Sequence, residues 1–222
     1  MKNQLSTYAM LFALLALVVG VGVACNTTSN TNSAVITTPS PAATSPSPSI
    51  PMNSDMPGMM RSSPNAASAP YDLQFIDTMT EHHQSAIEMA KLAEMNAQHA
   101  EVKSLARGIV AAQQKEISQM KSWRDQWYAG KPPAMNMAMP GMMDAMKDMD
   151  MSKMKAASGN AFDLMFIDMM TQHHQGAVTM AREALTKAEH PEIKKLGQQI
   201  IDAQEKEIAQ MNKWKAAWSG AK

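Results

Sequence analysis

An all-α fold, a four-helix bundle made of two repeated antiparallel helical hairpins, is what this 222-residue sequence predicts, and three observations predict it. First, the stretch opening at Tyr71 (YDLQFIDTMTEHHQSAIEMA) returns at Phe162 (FDLMFIDMMTQHHQGAVTMA), and the offset of 91 holds without a gap to Trp127 and Trp218. About half the aligned positions are identical, so the chain carries one unit twice. Second, the unit has helical periodicity: Leu73, Ile76, Met79, His83, Ala86 and Ala90 recur at three and four residues, one stripe of a 3.6-residue period. Third, a short polar connection at Asn96 to Gln98 turns the chain straight back. Two hairpins, each with one apolar stripe and no partner of its own, bury those stripes most simply against each other.

The second helix of each unit starts where His190-Pro191-Glu192 supplies a proline for the first helical position and an acid for the first turn. Its expected stripe is Ile193, Leu196, Ile200, Ala203, Glu207, Met211, Trp214 and Trp218. The copy is Val102, Leu105, Ile109, Ala112, Glu116, Met120, Trp123 and Trp127. The boundaries that follow are a first hairpin over 70–130, a linker over 131–160 and a second hairpin over 161–222.

Ahead of the hairpins the composition changes twice. Lys2 and the apolar run to Ala24 (MLFALLALVVGVGVA) read as a signal peptide over residues 1–24, too short for a spanning helix. Cys25 follows small residues as in a lipobox, although Gly22 stands where leucine is usual, and the expectation is lipid attachment at Cys25. Residues 25–69 are rich in Ser, Thr, Pro, Asn and Ala, which cannot bury enough surface to offset ordering, and are expected to form a disordered tether. The expected location is therefore outside the cytoplasm, periplasmic or cell-surface, with the membrane reached through Cys25.

Charge and residue usage narrow the function. Twenty basic residues balance twenty acidic ones, so no basic face is on offer and nucleic acid is not an expected partner. A single cysteine excludes Cys-based zinc or iron–sulfur sites within one chain. No Gly-rich phosphate loop, Gly-x-Ser-x-Gly elbow or cysteine nucleophile is present, and no enzyme activity is expected.

Methionine is the anomaly, with 24 residues. Many crowd the linker (KPPAMNMAMPGMMDAMKDMDMSKMKAASGN), where Met135, Met137, Met139, Met142 and Met143 read as a flexible sulfur hook; the alternative is a Met-rich segment that packs on the bundle. Thioethers are soft neutral ligands that select Cu(I) and Ag(I), so copper is the expected ion, Cu(I) before Cu(II). The second candidate site is the pair His82-His83 and its copy His173-His174, joined by Met79 and Met170 one turn earlier and by Glu116 and Glu207 across each hairpin. Folding the hairpin about residue 97 sets His83 level with Ala112 and Gln113. The bland alternative is a His–Glu layer that fixes helix register. His99 and His190 lie at helix starts and read as caps; each Trp pair reads as the closure of one end of the core.

The motif Phe-Ile-Asp-x-Met-x-x-His-His-Gln-x-Ala, at Phe75 to Ala86 and Phe166 to Ala177, resembles the bacterial family known as domain of unknown function 305, whose fold is similar to ferritin-like bundles. Two such units with Met-rich segments and an export signal resemble its copper-binding CopM-type members. The resemblance implies copper binding outside the cytoplasm in metal tolerance, and it maps the motif's Asp, Met and His onto Asp77, Met79, His82, His83 and Asp168, Met170, His173, His174. Two other readings of these residues are a ferritin-like iron or manganese redox protein and a metal-free envelope interaction module. Against the redox reading, Glu81 directly precedes His82 and its copy is Gln172, so the Glu-x-x-His spacing of di-iron bundles is absent.

Overall fold

The structure, a computed structural model, describes residues 61–147 and 149–220. Cys25, the signal peptide and most of the expected tether lie outside the described residues. Four long helices dominate: α1 (Tyr71–Asn96), α2 (Ala100–Trp127), α5 (Gly159–Lys187) and α6 (Pro191–Trp218), with two short ones, α3 (Met142–Met146) and α4 (Met151–Ala156), in the connection. The fold is all-α and resembles a four-helix bundle. Helix α1 packs on α2, α5 packs on α6, and α1 meets α5 across the centre. Among the described residues no helix is long and apolar enough to cross a membrane.

Each long pair is joined by three residues, Ala97–His99 and Ala188–His190, too few for anything but a reversal. Such a junction leaves the first N–H groups of the following helix without partners. Here the N–H groups of the reversal itself, just ahead of each helix, are met from the opposite pair. The buried Asp72 carboxylate, on α1, accepts the backbone N–H of Glu189 and of His190 at the start of α6, and Asp163, on α5, accepts those of Gln98 and His99 at the start of α2. His99 and His190 therefore do not cap their helices through their side chains, as their position suggested. The capping carboxylate comes from the other repeat, so each reversal is locked only when both pairs are assembled.

The buried face of α2 is Val102, Ala106, Ile109, Gln113, Ile117 and Met120, and that of α6 includes Ile193, Leu196, Ile200, Gln204 and Met211. On α2 this differs from the expected stripe at Leu105, Ala112 and Glu116, in whose place Ala106, Gln113 and Ile117 are buried. Ala112 and Ala203 are exposed, Gln113 and Gln204 take their place, and Glu116 and Glu207 sit half-buried at the edge. The difference is rotational: the buried run 109, 113, 117 advances by fours and turns gradually round the helix, whereas the run 109, 112, 116 stays near one line.

The Met-rich connection is strapped down rather than loose. Asn136 donates its backbone N–H to Thr78 Oγ1 and its side-chain amide to Gln74 Oε1, and Ala134 donates to Asp77, which also binds Arg124 Nε at 2.8 Å. Residues 61–63, within the expected tether, run beside it, with Ser63 N–H on Met135 O and Met137 N–H on Ser62 Oγ. Met142 and Met154 are fully buried, Met139 nearly so, Met135 and Met137 half-buried, and Met143 exposed. The packing alternative thus accounts for much of this segment.

Docking of α3 depends on one residue. Gly176 lets the strap approach so closely that an added Cβ would lie 2.5 Å from Ala145 Cβ and from Gly141 O. Gly141 opens α3 with φ +86° against the same glycine's carbonyl, a conformation and a space that both require glycine. The first repeat carries Ser85 at the equivalent position. Gly176→Ser is expected to lift α3 and cost about 1–3 kcal/mol. Chemical denaturation should show the loss, with proteolysis between Pro140 and Lys147 accelerated. An unchanged midpoint and cleavage rate would mean that the strap contributes nothing to the bundle.

Candidate metal centre

The apolar core is divided. One half gathers Leu73, Phe75, Ile76, Met79, Ile117 and Met120 with Ala181, Ile193, Leu196 and Ile200. The other gathers Ala90, Ala93, Val102, Ala106 and Ile109 with Phe162, Phe166, Ile167, Met170 and Met211. Between them lies a buried polar layer of His82, His83, His173, His174, Gln113 and Gln204, with all four imidazoles at 0% exposure. Met79 and Met170, also fully buried, flank it one turn earlier on α1 and α5.

Two pairs in the layer are near-copies. His83 Nε2 meets Glu116 Oε2 at 2.7 Å, and His174 Nε2 meets Glu207 Oε2 at 2.7 Å. The reversal at Ala97–His99 does set His83 level with Gln113, and the contact is made one helical turn further along α2, which the length of the glutamate side chain spans. Both glutamates reach outward, with side chains 18% and 23% exposed, so they are not the fully buried carboxylates that the stripe implied. Glu116 also lines an open groove between α2 and α6, together with Lys115, Gln119, Trp123 and Lys195, which brings solvent to one edge of the layer.

The inner pair joins the repeats. His82 and His173 lie face to face with ring centroids 3.7 Å apart and planes tilted by 42°. Both are pushed well below the usual imidazole pKa, first by burial and then by the neighbouring imidazoles. Their support is unequal. Ser85 donates its hydroxyl hydrogen to His82 O at 2.8 Å, so its oxygen accepts from His173 Nε2 at 2.7 Å. His82 has no such partner, because the position equivalent to Ser85 in the second repeat is Gly176, reserved for the strap.

These hydrogen bonds decide where the lone pairs point. A carboxylate only accepts, so the neutral rings of His83 and His174 carry hydrogen on Nε2 and a bare lone pair on Nδ1; the hydroxyl does the same for His173. All three Nδ1 atoms are buried without a partner, as are both nitrogens of His82 and the Oε1 atoms of Gln113 and Gln204. Each such group costs about 1–3 kcal/mol while unsatisfied. An imidazole anchored at one nitrogen and bare at the other is the form in which histidine meets a metal. Among the described residues no three His, Cys, Asp or Glu side chains converge as ligands on one point. What the layer offers is pairs of nitrogens with thioethers nearby, a donor set that fits ions content with few ligands.

Sequence reasoning set Gln113 level with His83 but left it out of the core stripe, and it missed Ser85 and the two clamping aspartates, Asp72 and Asp163. Gln113 and Gln204 had a signal, being identical polar residues four positions after the core residues Ile109 and Ile200. Asp77 of the recognised motif serves as a structural anchor on Arg124 and Ala134, whereas Asp168 makes an exposed ion pair with Lys215 Nζ at 2.5 Å.

Comparison with known proteins agrees with this picture. The family model described as "Domain of unknown function (DUF305)" matches residues 72–215. CopM in the Cu(I)-bound form is 42% identical, with 67% of this chain and 98% of that chain covered and a TM-score of 0.57. CopM in the Cu(II)-bound form is 44% identical over 66% of this chain and 97% of that one, with a TM-score of 0.58. A DUF305 fragment from Deinococcus radiodurans is 26% identical over 67% and 97%, with a TM-score of 0.59. No curated protein matches the chain significantly.

Proposed function

This chain belongs to the DUF305 family, and from that premise we propose that it is an exported copper-binding protein which sequesters or delivers Cu(I) and Cu(II) through Met and His ligands in metal tolerance. It is a binding protein and not an enzyme. The observation that carries the reading is the polar layer between two apolar half-cores: four neutral-capable imidazoles with five ring nitrogens, and two amide oxygens, buried without hydrogen-bond partners. Similarity to CopM, whose structures hold Cu(I), Cu(II) and silver, supports the choice of ion. Iron or manganese would call for several converging carboxylates, whereas Glu116 and Glu207 each bind a histidine in separate halves of the layer.

In this reading His82, His83, His173 and His174 are the nitrogen ligands, Met79 and Met170 lend thioethers from the flanking turn, and Glu116 and Glu207 orient rings and admit the ion from the surface. Exposed Met143 and half-buried Met135 and Met137 take Cu(I) at the strap, next to Met139 and Met142, which also pack it. The ferritin-like, twofold build of the bundle belongs to the same proposal, since each repeat supplies half of the layer. Export through residues 1–24 and attachment at Cys25 would hold the protein where thioethers are not lost to oxidative pairing.

The test uses proton competition. Thioethers do not protonate near neutrality, whereas imidazole, with an ordinary pKa of about 6.5, competes with protons at about pH 5. Replacing His82, His83, His173 and His174 by Ala should abolish most Cu(II) binding and the acid-labile Cu(I), and leave an acid-resistant Cu(I) class on the strap. Equilibrium dialysis against a Cu(I) chelator at both pH values reads this directly. A quadruple variant that binds both ions like the parent, while losing thermal stability, would make the layer a register device instead.

A further inference from the structure

The chain has six histidines and four tryptophans, and the two histidines and all the tryptophans outside the central layer fall into two matching end clusters. At one end, Trp123 stacks on Trp127 with centroids 5.4 Å apart, and Trp127 stacks on His190 at 3.8 Å with planes 9° apart. At the other, Trp214 stacks on Trp218 at 5.6 Å, and Trp218 on His99 at 3.8 Å with planes 4° apart. In each cluster the indoles come from one repeat and the imidazole from the other.

The far edge of each ring is held as firmly as its face. Asp72 Oδ2 accepts from His190 Nδ1 at 2.6 Å, and Asp163 Oδ2 accepts from His99 Nδ1 at 2.6 Å. The two carboxylates are 2% and 0% exposed and are fixed in turn by the backbone N–H groups of the helix starts. A carboxylate on Nδ1–H leaves the lone pair of the neutral ring on Nε2 and makes that nitrogen a stronger donor. The ring edges reach solvent, since the His99 and His190 side chains are 25% and 32% exposed. A register device needs the Asp–His contact but has no use for an imidazole turned outward and stiffened on two sides.

We propose that His99 and His190 are two outward-facing capture ligands, one at each end of the bundle, which take a borderline divalent ion, Cu(II) before others, through Nε2. Imidazole suits Cu(II), which stands highest among the divalent first-row ions for nitrogen sites. An ion held by one protein nitrogen exchanges quickly, as suits capture rather than storage. These sites are separate from the central layer: His83 lies three helical turns, ~16 Å, along α1 from Asp72. They stand or fall independently of the reading given to that layer.

All the indoles lie in the two stacks, so Cu(II) on Nε2 of the stacked ring should quench tryptophan emission by contact. Copper(II) chloride titrated into the full chain is expected to remove most of that emission. His82, His83, His173 and His174 replaced by Ala should leave the quenching in place, and His99→Gln with His190→Gln, where glutamine keeps an N–H for the aspartate, should abolish it. Asp72→Asn, which retains an oxygen for the backbone, should weaken only the quenching of the Trp127 end. Because a variant at these positions can fail to fold, the unsubstituted chain supplies the second measurement: substoichiometric Cu(II) should broaden the ring resonances of His99 and His190 before those of the other four histidines. Quenching that survives the double substitution, or end-histidine resonances that stay sharp while the central ones broaden, would overturn the proposal.

Discussion

Acidification from pH 7 to about pH 5 should strip roughly 4 kcal/mol of stability from the metal-free protein, well before carboxylates protonate. The cause is the pair His82 and His173, whose folded pKa values burial and neighbouring imidazoles hold well below 6.5. In the unfolded chain both rings take up protons near 6.5, whereas in the fold they stay neutral, so the unfolded state binds more protons in this window. Stability is therefore full above about pH 6.5 and falls as pH drops, by ~1.4 kcal/mol per pH unit for each ring, until the folded pKa is reached. Against a total stability of about 5–15 kcal/mol the loss is large. Urea midpoints at pH 7 and pH 5 measure it, and the double variant His82→Leu, His173→Leu should lack most of it. A parent and a variant that weaken equally with acid would show that these rings are not the titrating groups.

Residues 61–130 expressed alone should not form a stable monomer. Helix α1 buries one face on α2 and another on α5, and without the second repeat Phe75, Ile76, Met79, His82 and Ala90 on α1 lose neighbours that keep them at 0–1% exposure. The start of α2 also loses its clamp, because Asp163 belongs to α5. Helices that depend on tertiary packing do not survive its removal. Since the missing partner is a near-copy, the expected escape is a twofold dimer that sets one His82 against another. Sedimentation equilibrium with circular dichroism should find helicity rising with concentration. A half-chain that is fully helical and monomeric at low micromolar concentration would show that the two pairs fold independently, contrary to the packing described.

How much of this was legible beforehand depends on how far apart the residues involved lie. The four long helices, the tight reversals and the meeting of His83 with Glu116 and His174 with Glu207 follow from periodicity within a segment of some sixty residues, where 3.6-residue geometry alone sets which side chains share a face. Even there the rotation slips: periodicity places Ala112 in the core stripe where Gln113 is buried, because which side of a helix faces inward is set by its neighbours.

Only the tertiary structure decided what happens between repeats. That His82 faces His173, that Asp72 and Asp163 cap the helices of the opposite repeat, and that the strap docks at Gly176 are consequences of how α1 crosses α5, which no local period encodes. The same crossing gives a meaning to the single difference between Ser85 and Gly176: the serine supports one inner histidine, and the glycine leaves the other bare to make room for α3. The sequence by itself determined a repeated pattern of helical periodicity, with thioether and imidazole side chains placed in it. Whether those side chains converge is set by packing, because burial and lone-pair direction belong to the assembled core and not to any one helix.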